Sequence, residues 1–489
     1  NCLVEETRKV FQNMNIDDYE FVLVNDCSPN PESHERILKL GKENKDIKVF
    51  DDKIDDLEDS AEILTDKVNE GLIKDQKAII SIIERYIKEH NLIVYGGNAQ
   101  NLAIKRIDPS KGFYEDKDVH DYDVYSFDPI NDAINLTKQI FKAGFKNILA
   151  IEAIHVETYS IKYYGTALCD FSYMPKYIFD NLPIFKVEGF NIVNPYVAYI
   201  DFMRIFNDPL TSSSFRWSKN FERFNLMQEY YPLRTKELKD NNSDNIDKSI
   251  EKDLRKIISK SNTLIYTGIE CFNKYASISK CDKIGLEYLT LVSSNYDNDI
   301  NMILTELKKK YNVTTQERYP FFQFWDFSID IRIDDKIVCK IYKNNNICIP
   351  FKEVKNVKYA SFTYNLMWIM IEKLYYSIYN SDCSGKPRES KEIRIRYDQI
   401  VNGMLFMKDK YLKDHNKTFL DDTIFQHFVT DKCSGVPLNP SDIKNKIKNY
   451  RGFKFDPNKK TANNENHIYT NISGRFINSK GNKFIKELN

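Results

Sequence analysis

The stretch "VHDYDVYSF", residues 119–127, follows "LIVYGGNAQN", residues 92–101, and the pair decides how the chain is read. In a strand the side chains at i and i+2 share a face, so Asp121 and Asp123 point the same way just before the strand turns apolar. Two carboxylates a few Å apart repel, and one should hold a proton unless a counter-charge is present. Either the strand end opens to solvent and the pair is incidental, or a cation sits there. Upstream, "LIVY" reads as a strand, Gly96–Gly97 as a turn and "NAQNLAIKR" as a helix. Glycines let backbone N–H groups approach phosphate oxygens, and a helix N-terminus favours negative charge; a GG pair alone also fits an ordinary strand-to-helix turn. Asp170, in "YYGTALCDFSYMP", ends an apolar strand that could lie beside the first. Three converging carboxylates can hold two divalent ions about 3.5–4 Å apart. Asp201, in "AYIDFMRIF", competes for the third position, but its surroundings read as helical, so Asp170 is preferred.

The bulk composition sets bounds. At 489 residues the chain exceeds one ordinary domain. Lys+Arg and Asp+Glu both total 71, so any nucleic-acid contact must come from local patches rather than a global field. Nine cysteines without a CxxC pair give no disulfide framework or zinc ribbon and point to a reducing compartment. No apolar run approaches the roughly 20 residues needed to span a bilayer.

Along the chain we expect a small α/β segment at 1–60, with helix, strand, helix and the short strand "IKVF". A strand-and-helix domain follows at 61–205, a helical connection at 206–260, a second domain at 261–440 and a basic tail at 441–489. The second domain repeats the first. "NTLIYTGIECFNKY" parallels "NLIVYGGNAQNLAI", "EYLTLVSSNYDNDINMILTELKKKY" parallels "DYDVYSFDPINDAINLTKQIFKAGF", and "DDKIVCKIYKN" parallels "YGTALCDFSYMP". Asp121 then falls on Tyr288, Asp123 on Thr290 and Asp170 on Lys340, so the copy keeps the sheet and loses every carboxylate. Residues 358–380 read as a buried helix.

The order GG, helix, DxD entering a strand and a later strand Asp resembles the polymerase-beta-like nucleotidyltransferase superfamily. More closely, "GGNAQNL", "HDYDVYSFDP", "ALCDFSYMP", "NPYVAYIDFMRIFNDPLT" and "FRWSKNFERFNLM" resemble the poly(A) polymerase catalytic subunits of large cytoplasmic DNA viruses, over residues about 60 to 480. The resemblance implies an α+β fold with a mixed sheet, and a second, degenerate nucleotidyltransferase-like domain. It implies AMP transfer from ATP to an RNA 3′-hydroxyl with two Mg²⁺ or Mn²⁺ ions. Asp121 and Asp123 would bind both metals and Asp170 the one at the RNA hydroxyl. Gly96, Gly97 and Asn98 would hold the triphosphate. It further implies a homodimer, no membrane association, and a cytoplasmic setting in a viral factory or virion.

Arg216, Lys219 and Arg223 recur at helical spacing in "SSSFRWSKNFERFNLM", 212–227. They either grip triphosphate or RNA phosphate, with Arg as the bidentate partner, or form a solvated basic face beside Glu222. Lys162 in "YSIKYYG" points to the same role. The tail carries eleven Lys/Arg against four acids, interleaved with Tyr450, Phe453, Phe455, Tyr469 and Phe476. That pattern suits single-stranded RNA and equally a solvated end. Two alternatives stay open. "YEFVLVNDCSPNPESHERILKLGKENKDIKVF" resembles the opening of a nucleotide-sugar glycosyltransferase, with Asp26 facing the uridine. A nucleotidyltransferase acting on another acceptor, such as tRNA, would share all three aspartates.

Overall fold

The computed structural model describes residues 45–114, 119–153, 155, 157–208, 216–238, 245–344, 348–354, 356–379, 390–426, 428, 433–434, 453–459, 468–470, 476–478 and 484–485. Asp26 and the expected elements before residue 45 lie outside them. The chain divides into a unit Asn1–Lys77 and a unit Ala78–Asn489. Helix α1 (Lys45–Glu89) runs through the division. The four residues of "IKVF", expected as a strand, lie inside this helix. So short an apolar run has no periodicity to separate strand from buried helix. Towards its end α1 buries Ile79, Ile83, Tyr86 and Ile87 at helical spacing. It stops where Asn91 takes φ +53° and the Asn91 and Leu92 N–H groups bond back to the Lys88 and Ile87 carbonyls, the pattern of a Schellman cap.

The first sheet is built from β1 (Ile93–Tyr95), β2 (Tyr122–Ser126), β3 (Ile148–Glu152), β4 (Thr158–Tyr163), β5 (Thr166–Tyr173), β6 (Ile184–Val187) and β7 (Phe190–Val193). Between and after them run α2 (Gly96–Ile107), α3 (Pro129–Lys142), α4 (Lys176–Asn181), α5 (Pro195–Asn207) and α6 (Trp217–Tyr230). The second half holds α7 (Lys248–Ile258), β8 (Leu264–Thr267), α8 (Ile269–Ile278), β9 (Leu289–Ser293), α9 (Tyr296–Leu307), β10 (Val313–Arg318), β11 (Ser328–Ile333), β12 (Lys336–Lys343), β13 (Ile349–Val354), β14 (Val357–Ala360), α10 (Phe362–Ile378) and α11 (Ser390–Asp414). The last segment adds β15 (Cys433–Ser434), β16 (Lys454–Phe455) and a small sheet of β17 (Ile468–Thr470), β18 (Phe476–Asn478) and β19 (Phe484–Ile485).

Apart from one added strand at opposite ends, β16 and β15, the two large sheets have matching orders, β16-β3-β4-β5-β2-β1-β7-β6 and β10-β11-β12-β9-β8-β14-β13-β15. The match extends to single residues. Asp123 faces Asp170 across the parallel pair β2/β5, and Thr290 faces Lys340 across β9/β12, the correspondence the repeat predicts. The β4–β5 hairpin turns through Tyr164 and Gly165, both at positive φ, and β11–β12 through Asp334 and Asp335, also both positive, the backbone that a tight two-residue turn requires. Both hairpins shift register at the same place, Ile161/Lys162 and Ile331/Arg332. Ser126 bonds Asp132, and Ser293 bonds Asp299. Gly268 shares its φ of +66° and its place after the strand with Gly96.

Helices α5 and α10 follow β7 and β14 and pack on each other, with the Tyr196 hydroxyl donating to the Met370 carbonyl at 3.2 Å and Lys373 lying 3.8 Å from the Tyr196 ring centre. Helix α10 is buried nearly throughout, as its apolar sequence requires. Two features were not legible in the sequence. Cys348 and Cys433, 85 residues apart, form a disulfide that ties β15 to the start of β13. In the tail, Phe453 and Phe455 are buried, and β16 pairs with β3. In this part of the tail the aromatics complete the first sheet and are not offered to bases, while Lys454 between them stays exposed.

Candidate functional site

Strand β2 lies between β5 and β1, with Asp170 on one side of Asp123 and Tyr95 on the other. Asp121 stands just before β2 and is exposed, while Asp123 and Asp170 are half-buried. Helix α2 starts at Gly96, whose positive φ and missing side chain are both needed, since a Cβ there would overlap the Asp123 carboxylate. At Gly97 a Cβ would overlap the Tyr114 hydroxyl and come within 3.0 Å of Arg223 Nη1. Asn98 Nδ2 donates to the Asp121 carbonyl at 2.6 Å, tying the first turn of α2 to the entry of β2. The turn and the acid pair are therefore one built unit.

Electrostatics marks the same place. Burial pushes the Asp123 carboxyl well above the usual carboxylate range, and Asp121, Asp170 and Asp201 push it further, with Arg216 pulling the other way. Asp170 is raised by burial and by Asp121, with Lys162 lowering it. Asp201 lies on α5 as expected, is raised by burial, and is held only loosely by Arg204 at 3.8 Å. Asp170 Oδ1 has no hydrogen-bond partner among the described residues. A group of acids that repel one another and keep an orphaned oxygen is short of positive charge. The donors are all carboxylate oxygens, the set that hard divalent ions such as Mg²⁺ or Mn²⁺ take. Among the described residues no three His, Cys, Asp or Glu side chains form a ready-made metal cage.

The cations come from α6 and its entry. Phe224 of α6 packs against Tyr199, Phe202 and Phe206 of α5 with ring centres 5.7, 5.8 and 5.9 Å apart. Trp217 Nε1 donates to the Ile205 carbonyl at 3.1 Å. So anchored, the helix brings Arg216 to act on Asp123 and Lys219 to feel Asp121, and sets Arg223 against Tyr114. Burial and the nearby Arg223 and Arg216 lower the Lys219 ammonium, and Asp121 raises it. Arg223 Nη2 donates to Tyr114 Oη at 3.2 Å, and its guanidinium lies 4.4 Å from the Phe113 ring centre. Lys162 sits on β4 at the register shift and acts on Asp170.

The residue-by-residue reading missed Phe113, Tyr114, His120 and His155. Tyr114 stacks on His120 with ring centres 3.5 Å apart, and His155 is near enough to Asp170 to alter its titration. His120 lies inside the stretch first quoted, next to Asp121, and was the one available signal.

The second copy shows what replaced the acids. Lys340 is buried and donates to the Tyr288 hydroxyl at 3.1 Å. Burial opposes its charge, yet Tyr288, Tyr376, Tyr342 and Glu372 hold its pKa well up. Burial pushes the Glu372 carboxyl up to about 7, with Lys340 pulling it down. The ammonium of Lys340 stands at the register position that Asp170 has in the first copy, so this copy contains its own cation.

Comparison with known proteins agrees with this arrangement. Residues 81–212 match the family model described as poly(A) polymerase catalytic subunit. Residues 225–489 match a second model, described as "APMV, Putative poly(A) polymerase, catalytic subunit, C-terminal". The chain is 27% identical over 502 residues to a "Putative poly(A) polymerase catalytic subunit" of Acanthamoeba polyphaga mimivirus, covering 90% of this chain and 82% of that protein. A protein of the same description from African swine fever virus (isolate Pig/Kenya/KEN-50/1950) is 29% identical over 162 residues, 32% of this chain and 34% of the relative. The fold is similar to the crystal structure of the Megavirus polyadenylate synthase, with a TM-score of 0.74, 21% identity, and coverage of 96% of this chain and 100% of that one. With more than half of its length matched by the second of these models, the chain belongs to the family of poly(A) polymerase catalytic subunits of large DNA viruses.

Proposed function

We propose that the chain transfers AMP from ATP to the 3′-hydroxyl of RNA, releasing pyrophosphate. The observation that carries this reading is the register Asp123–Asp170 beside a glycine turn that leaves no room for a side chain. Asp121, Asp123 and Asp170 would hold two divalent ions, which when bound would offset phosphate charge and acidify the acceptor hydroxyl. The Gly96–Gly97 turn offers backbone N–H groups to the triphosphate at the start of α2. Asn98 fixes that turn against the acids, and Arg216, Lys219 and Arg223 supply positive charge from the facing helix. Lys162 steadies the Asp170 carboxylate. The domain division at 61–205 and 261–440, with an inert second copy shaping the RNA path, belongs to the same reading, as do a cytoplasmic viral setting and self-association. Among the described residues no helix is long and apolar enough to cross a membrane.

The deciding experiment incubates the protein with labelled ATP, an RNA oligonucleotide and Mn²⁺. A ladder of adenylates on RNA supports the proposal; no extension of RNA, with transfer to tRNA or of a sugar instead, overturns it. Two further outcomes are expected. Arg223→Ala should raise KM for ATP roughly tenfold or more, the size of one hydrogen bond to a charged group, with steady-state kinetics as the check. Binding of Mn²⁺ should raise the melting temperature, and the sign of its pH dependence follows from the raised carboxyls. A folded pKa above the unfolded value contributes stability below the unfolded value, near 3.8, that is lost as pH rises through the folded one. The ion removes that penalty, so its thermal shift should grow as pH rises above the ordinary carboxylate range and vanish in Asp170→Asn.

A further inference from the structure

We propose that the Tyr114 hydroxyl is a stand-in for a phosphate oxygen: it fills the space over Gly97 and holds Arg223 until the triphosphate takes both. The inference rests on the adenylyl-transfer reading and adds an exchange at that site. The space above Gly97, where an approaching phosphate would meet the backbone, is closed by Tyr114 Oη, which a Cβ on Gly97 would overlap. The same oxygen accepts from Arg223 Nη2 at 3.2 Å. The ring is held by two aromatic contacts, stacked on His120 at 3.5 Å and edge-to-face with Phe113 at 4.8 Å, while Phe113 also carries the Arg223 guanidinium.

The chemistry favours exchange. A phenol is a neutral acceptor for one N–H, whereas a phosphate offers a charged, two-pronged match to the guanidinium fork. Arg223 therefore leaves the phenol for an anion and returns when the anion goes. Tyr114 also has a task when no nucleotide is bound. It sits among Arg223, Asp121 and Asp123 and feels all three; burial raises its pKa, so the hydroxyl stays protonated. By occupying Arg223 it keeps the guanidinium from closing an ion pair onto the acids and blocking the cation site. The returning phenol then competes with pyrophosphate for the same seat, which makes Tyr114 a positioning residue for both substrate entry and product exit.

Tyr114→Phe keeps the ring and its stacks and removes only the competitor. With Mn²⁺ present, the Kd for inorganic tripolyphosphate and the Ki of pyrophosphate should each fall about tenfold, the worth of one charge-assisted hydrogen bond. KM for ATP should fall in step while kcat does not rise. A merely structural Tyr114 would lower kcat and melting temperature without tightening tripolyphosphate, and an unchanged or weaker Kd overturns the inference. A second measurement needs no turnover: Gly97→Ala should lower the melting temperature clearly less in the Tyr114→Phe background than in the wild type, and equal losses overturn the placement. The two readings fail separately. Wild type that extends RNA while Tyr114→Phe leaves both polyphosphate constants unmoved sinks the exchange alone. Tightened tripolyphosphate binding in a protein that extends no RNA keeps the exchange and sinks adenylyl transfer.

Discussion

Asp123→Asn should lower RNA extension on the order of 10³-fold, the upper range for removing one group that stabilises charge at a reacting phosphate, and should at the same time raise the melting temperature of the metal-free protein. The two signs come from one fact. Asp123 is half-buried among Asp121, Asp170 and Asp201, and burial plus those charges push its carboxyl well up. Near neutral pH the ionised form therefore costs stability. Asn has the same shape without the charge, so the fold gains while the cation site loses a ligand. Extension kinetics and thermal melts on one preparation check both halves. A variant that is inactive because it melts early, or one that keeps extending RNA, would remove Asp123 from the site.

Lys340→Met should do the opposite at the equivalent place in the second copy: a marked loss of stability with no charge-repulsion relieved. Lys340 is buried against the Tyr288 hydroxyl and acts on Glu372. Removing one partner of a buried ionic group leaves the other uncompensated, at a cost of about 3–5 kcal/mol, or roughly ten degrees for a domain of this size. The pH trend is fixed by Glu372, whose carboxyl already stands at about 7 instead of 4.5. Without Lys340 it rises further, and a raised folded pKa contributes stability that is lost as pH rises through it. The deficit should thus be larger near pH 8 than near pH 6, and Glu372→Gln should restore part of it. Melts across that range, unchanged by the substitution, would show that the ammonium has no such part.

Much of this was legible in the sequence, for identifiable reasons. Asp121, Asp123 and the glycine turn could be read because strand alternation and the strand–turn–helix order are local properties. The repeat could be read because β2 and β9, and the hairpins β4–β5 and β11–β12, keep the same lengths in the two copies, which let Asp170 be set against Lys340 from sequence alone. What was lost is non-local. "IKVF" looks like a strand by composition and is helix because α1 continues through it. Tyr114 meets Gly97 and Arg223 only through the fold, from 17 residues on one side and 109 on the other. The Cys348–Cys433 bond joins segments 85 residues apart with no spacing motif.

The last part of the chain supplies an outer strand to each large sheet, β15 to the second and β16 to the first. During synthesis the second sheet therefore lacks this strand until residue 434 has emerged, and the first until residue 455 has. A chain clipped before Cys433 would leave β13 and β3 as bare margins, open to pairing with a neighbouring molecule.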